Sequence, residues 1–196
     1  VPCSEEAGNN ATEESAPEGA SAITSEDSIA VVLPGKEVRK HVVCLIVTIR
    51  NVSKICHVLN QVHTDGMCHM DAGMTRTGLE AMGMHDTDLV FLENIGNLIC
   101  PAEYDTGAVK KVMILSIPEG DDKPLKYPLM FQASDALIIS KIDTLPWFNF
   151  DMEKCVERVR FLNPDIRIFP LSAKTGEGME AWETWLTEQT DNWIRE

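Results

Sequence analysis

The chain has 196 residues, 44% hydrophobic and 24% charged, enough apolar material for one domain with a sizeable core. Its 31 acidic and 17 basic residues leave a formal charge of −14, which argues against nucleic acid or an anionic membrane surface as a main partner. No apolar run reaches bilayer length and the first residues lack a basic-then-apolar export pattern, so a cytoplasmic protein is expected, its six cysteines kept as thiols.

In chain order, Val1 to about Asp27 is rich in Glu, Ser, Ala, Asn and Gly and nearly free of large apolar residues, which predicts a disordered acidic tail. Residues 28–196 then alternate apolar runs with helical patterns and are expected to form a single domain. Val42–Ile49, Leu89–Leu92, Val112–Ile117, Ala136–Ile139 and Ile166–Leu171 read as buried strands, and near-continuous apolar strands suit a parallel sheet covered on both faces. Asp151 caps a helix whose Met152, Cys155, Val156, Val159 and Leu162 share one face, with Pro164 at its end. A last helix starts after Gly178 and carries Met179, Trp182, Trp185 and Leu186 as core packing. The alternation implies an α/β, doubly wound fold, in which ligands bind at the carboxyl ends of the strands.

Three motifs fall at such ends. Ser140-Lys141-Ile142-Asp143 follows the strand ALII. A carboxylate there can accept two hydrogen bonds from N1–H and the exocyclic amine of guanine, a donor pair adenine lacks, while the stem of Lys141 lies over the base. The four residues by themselves equally fit an exposed strand-end loop. Ser172-Ala173-Lys174 follows the next strand, where the Ala173 N–H can bond the guanine O6, and the two motifs together point to a base pocket.

The third cluster joins Gly66-Met67-Cys68-His69 to Asn97-Leu98-Ile99-Cys100-Pro101. Thiolate and imidazole suit nickel(II) and zinc(II), and Cys68, His69 and Cys100 make three ligands that a two-fold dimer could double. Taken from spacing alone, Cys68 and Cys100 equally fit ordinary thiols.

The strings GMCHMDA (66–72), FLENIGNLICPAEYD (91–105), EGDDKPLKYPLM (119–130), SKIDTLPWF (140–148) and FPLSAKTGEGMEAW (169–182) resemble the GTP-binding nickel-incorporation factors of hydrogenase maturation, the HypB family. The resemblance runs from about Val58 to about Leu186. It implies a P-loop NTPase fold of the SIMIBI type and guanine-nucleotide contacts from Lys141, Asp143, Ser172, Ala173 and Lys174. It also implies nickel or zinc held by Cys68, His69 and Cys100 at a homodimer interface, with hydrogenase precursor and other maturation factors as partners. Glu93 takes the place of the family's magnesium-linked carboxylate, and Gly96 begins a switch segment leading to Cys100. Cys3, Cys44, Cys56 and Cys155 are expected to be dispensable for the metal.

One departure stands out. The 196 residues contain no GxxxxGK followed by Ser or Thr, the loop that cradles phosphates and anchors magnesium. Leu33-Pro34-Gly35-Lys36-Glu37 has a Gly-Lys pair but no upstream glycine, and an acid replaces the hydroxyl, so it reads as a turn. Two functions follow: GTP-regulated nickel delivery, with GTP or GDP and magnesium as the implied nucleotide set, or a metal-binding scaffold that has lost hydrolysis.

Overall fold

The computed structural model describes residues 44–50, 56–64, 66–81, 89–94 and 96–195. The expected tail up to Asp27, Cys3 and the turn at Leu33–Glu37 lie outside these residues.

The described chain runs β1 (Cys44–Arg50), β2 (Cys56–Val62), α1 (Ala72–Ala81), β3 (Leu89–Glu93), α2 (Cys100–Glu103), β4 (Val112–Ser116), α3 (Lys123–Lys126), α4 (Pro128–Ala133), β5 (Ala136–Ser140), α5 (Met152–Leu162), β6 (Arg167–Pro170) and α6 (Met179–Arg195). Two short 3₁₀ segments, Ile117–Glu119 and Ile142–Trp147, follow β4 and β5.

The α/β expectation holds. Strands β4, β5 and β6 pair in parallel in that order, with Val112 opposite Ala136 and Ala136 opposite Arg167. Alternation along the strands feeds two cores. Met113, Leu115, Leu137 and Ile139 face a cluster with Phe131, Cys155, Val159 and Ile166. Val112, Ile114, Ala136 and Ile138 belong to the opposite cluster, with Phe169, Trp182 and Trp185. Helix α5 thus covers one face and α6 the other, which is why these strands read as continuously apolar. Strands β2, β1 and β3 differ from the expectation of parallel pairing: they form an antiparallel sheet in that order. Five residues separate Arg50 from Cys56, too few for the crossover of a dozen or more residues that a parallel neighbour requires, so a hairpin results. Nothing in the apolar run up to Ile49 announced β2, whose sequence CHVLNQV is half polar.

The helix expected after Asp151 is α5, and the Asp151 carboxylate accepts from the Lys154 backbone N–H at 3.0 Å. Cys155 and Val159 are buried, with Met152, Val156 and Leu162 packed against the same cluster. Beyond the last turn, the Asn163 amide donates to the carbonyls of Phe131, Gln132 and Ser134 at 3.1, 3.4 and 2.9 Å, tying α5 to the end of α4. Trp182 and Trp185 lie in the core with Phe169, ring centroids 5.4–5.6 Å apart.

Gly178 sets where α6 begins. Its φ is +75°, and a Cβ there would sit 2.2 Å from the Pro170 carbonyl oxygen. Both facts require glycine: the left-handed backbone disfavours an L side chain and the strand end leaves no room for one. Gly178→Ala is therefore expected to destabilise the fold by about 2 kcal/mol or more, read as a lower Tm in thermal unfolding.

Candidate metal centre and base-binding loops

The segment after β2 is shaped by local hydrogen bonds. The Met67 N–H donates to the Thr64 carbonyl at 3.0 Å and the Thr64 hydroxyl to the Met67 carbonyl at 2.8 Å, closing a turn through Gly66, whose φ is +89°. Cys68 follows, exposed; His69 and Met70 are buried. Met70 anchors the segment, packed with Val62, Met74, Leu79 and Leu92, and its N–H donates to the Asn94 side chain at 3.1 Å.

The second segment leaves β3 and enters α2. The Asn97 side-chain oxygen accepts from the N–H groups of Ile99 and Cys100, both at 3.0 Å, and its amide nitrogen donates to the Cys68 carbonyl at 2.6 Å. These bonds bring Cys100 beside Cys68 and His69. One ligand atom from each of the three lies within 4.8 Å of the others. His69 Nδ1 is 4.0 Å from Cys68 Sγ, and the imidazole stacks on the Tyr104 ring, centroids 3.5 Å apart and planes 13° from parallel.

The donor set fits the metals named from sequence. A metal–sulfur bond of about 2.3 Å puts neighbouring donors of a tetrahedral centre about 3.7 Å apart, and opposite donors of a planar one about 4.6 Å apart. Atoms within 4.8 Å of one another are close to either arrangement without unfolding a loop. Three candidate donors on one chain leave a fourth position for another donor. The hydrogen bond with Cys68 pushes the Cys100 thiol above its ordinary value, with desolvation and the charges of Cys68 and Glu103 adding to the effect. Cys155 is different: burial, aided by the Asp121 charge, pushes its thiol up to about 12, that of an inert core residue.

Glu93, the expected magnesium-linked carboxylate, is the last residue of β3, half-buried and opposite Leu45 in the sheet register. It is not in the ligand cluster.

The two loops expected to recognise a base meet at the ends of β5 and β6. Ser140 ends β5, and Lys141 then takes a left-handed conformation, φ 61° and ψ 37°. Its carbonyl accepts from the Thr144 N–H at 2.9 Å and hydroxyl at 2.7 Å. A non-glycine residue in that region costs about 1 kcal/mol or more, and such strain gathers where a side chain must be aimed. Ser172, fully buried, donates its hydroxyl to the Asp143 carboxylate at 2.6 Å and accepts from the Thr175 N–H at 3.2 Å. The Ile142 N–H bonds the Leu171 carbonyl at 3.3 Å, so the backbones of the loops are joined as well. Ala173 and Lys174 are exposed on the second loop. Sequence reasoning named all five of these residues but not the bond that aims Asp143. It also missed Asn97 and Tyr104. An Asn three residues before a Cys-Pro helix start is a readable turn signal; the Tyr104 stack is not readable, since it depends on how the two segments meet.

The Cys100 shift yields a test. Removing Cys68 takes away its largest cause, so in Cys68→Ala the Cys100 thiol should fall back toward its ordinary value. Alkylation of Cys100 by iodoacetamide at neutral pH, followed by peptide mass spectrometry, should then run faster than in the metal-free parent; an unchanged or slower rate would contradict the pairing.

Three comparisons relate the chain to known proteins. The family model described as CobW/HypB/UreG, nucleotide-binding domain, matches residues 46–170. The hydrogenase maturation factor HypB of Escherichia coli (strain K12) is 47% identical over 129 residues, covering 66% of this chain and 44% of that protein. The crystal structure of HypB from Helicobacter pylori in complex with nickel superposes with a TM-score of 0.63 at 38% identity, covering 67% of this chain and 63% of that one. For the hydrogenase maturation factor HypB from Archaeoglobus fulgidus the TM-score is 0.62 at 35% identity, covering 66% and 63%. The chain thus spans less than half the length of the Escherichia coli relative.

Proposed function

Since the chain belongs to the CobW/HypB/UreG nucleotide-binding family, as a HypB-type member, we propose that it binds nickel(II) as cargo and a guanine nucleotide as regulator, and serves nickel delivery to a hydrogenase precursor. The observation that carries this reading is the convergence of Cys68, His69 and Cys100. Zinc(II) is a second ion the same donors accept, because thiolate and imidazole suit both metals. The three ligands lie on one chain and leave coordination incomplete, so a second copy of the chain completes the set about a two-fold axis. The hydrogenase precursor and other maturation factors are its partners in this reading, by analogy with the HypB relatives.

Guanine recognition rests on Asp143, aimed by Ser172, with Lys141 flanking the base and Ala173 presenting its N–H. Lys174 belongs to the same loop. Glu93 is assigned to magnesium through its place at the end of β3. The phosphates receive no residues here, since the 196 residues contain no P-loop motif. That fact favours a second reading, a nickel- or zinc-binding scaffold without hydrolysis, and phosphate release from GTP separates the two.

Calorimetric titration of nickel(II) into the protein and into Cys68→Ala and Cys100→Ala tests the cargo site. The parent should bind, each variant should lose affinity, and parental binding should weaken as pH falls because thiolate ligation requires deprotonation. Equal binding by all three would end the proposal.

The base pocket has its own test. Asp143→Asn reverses the donor–acceptor pattern, so GDP should weaken by about 1.5–3 kcal/mol or more while xanthosine diphosphate gains. Competition of GDP and ADP on equal terms in the parent would mean that no guanine pocket forms.

A further inference from the structure

The three ligands come from two segments, and the residue that joins them, Asn97, lies 29 positions after Cys68. Backbone pairing does not account for their closeness: β2 and β3 are not neighbours, since β1 lies between them. A side chain makes the connection. Asn97 donates to the Cys68 carbonyl at 2.6 Å, and its oxygen accepts from the N–H groups of Ile99 and Cys100 at 3.0 Å. The orientation of the amide follows from its partners. A carbonyl only accepts and an N–H only donates, so the flipped amide would satisfy none of the three.

We propose that Asn97 is the positioning residue of the metal centre: one planar amide spans from the Cys68 backbone to the Cys100 backbone and sets the separation of the two thiols. Asparagine is suited to this task. Aspartate has no donor for Cys68, and serine can accept from the Cys100 N–H three residues on but is too short to reach Cys68. His69 is held separately, by the Tyr104 stack and by burial, so the effect of Asn97 falls on the thiol pair.

The inference rests on the cargo-site reading for one of its two readouts only. The first needs no metal. In the metal-free full-length chain, diamide takes two electrons and two protons from Cys68 and Cys100 as their sulfurs join, and the rate of that disulfide, followed by peptide mapping, reports how often the thiols meet. Asn97→Ala and Asn97→Ser should both slow it by about tenfold or more, and both should weaken nickel(II) by roughly 10–100-fold, the range for residues that orient metal ligands. Serine keeps the bond at the start of α2, so its agreement with alanine assigns the effect to the Cys68 bridge. Parental disulfide rates in both variants would overturn the proposal, as would a parental rate in Asn97→Ser alone. If the parent binds no nickel, the cargo-site reading falls, and the disulfide comparison still decides the role of Asn97.

Discussion

The fold depends on the burial of Ala136 to Ile139 in β5 away from water. Ala136, Leu137 and Ile139 are fully buried and Ile138 nearly so, because β5 lies between β4 and β6 with helices on both faces. A strand so placed has one place to meet a ligand: the loop at its carboxyl end. Ser140 leaves the sheet there, and Lys141 breaks the strand geometry at once with a positive φ. The parallel register with β6 then brings Leu171 and Ser172 level with this loop, so the Ser172–Asp143 bond follows from strand pairing.

The proposed metal centre is built on another plan: its residues sit in the segment after β2 and at the start of α2, with Cys68 exposed, Cys100 half-buried and His69 buried. What fixes them is a set of side-chain amides and one aromatic stack, Asn94 to Met70, Asn97 to Cys68 and Cys100, and Tyr104 to His69. Loops joined by a few hydrogen bonds open locally at low cost, whereas a site set in the β5 core would open only with the domain.

Under the proposed function, the segment Glu93–Glu103 is where the nucleotide and metal chemistries approach each other along the chain. It begins at the end of β3, carries Asn94 and Asn97, and ends in α2 with Cys100 at its start. A two-state change in a short segment of this kind would reach the metal ligands through the Asn97 bridge, with no separate relay.

Much of this was legible in the residues alone. The runs VMILS and ALIIS identify parallel strands because both faces are apolar, and Asp151 with the spacing of Cys155 and Val159 marks α5. Thiolate and imidazole chemistry singles out Cys68, His69 and Cys100, and the two strand-end motifs single out Lys141, Asp143 and Ser172 to Lys174. The antiparallel β2 was not legible, since CHVLNQV carries no strong alternation and its pairing is set by the short connection to β1. Nor were the bonds that aim the ligands. Sequence determines which donors are available and which strands must be buried, because those depend on side-chain chemistry and on local period. Only the tertiary structure decides which donors meet, because Asn97 reaches Cys68, and Tyr104 reaches His69, across a distance in sequence that no periodicity encodes.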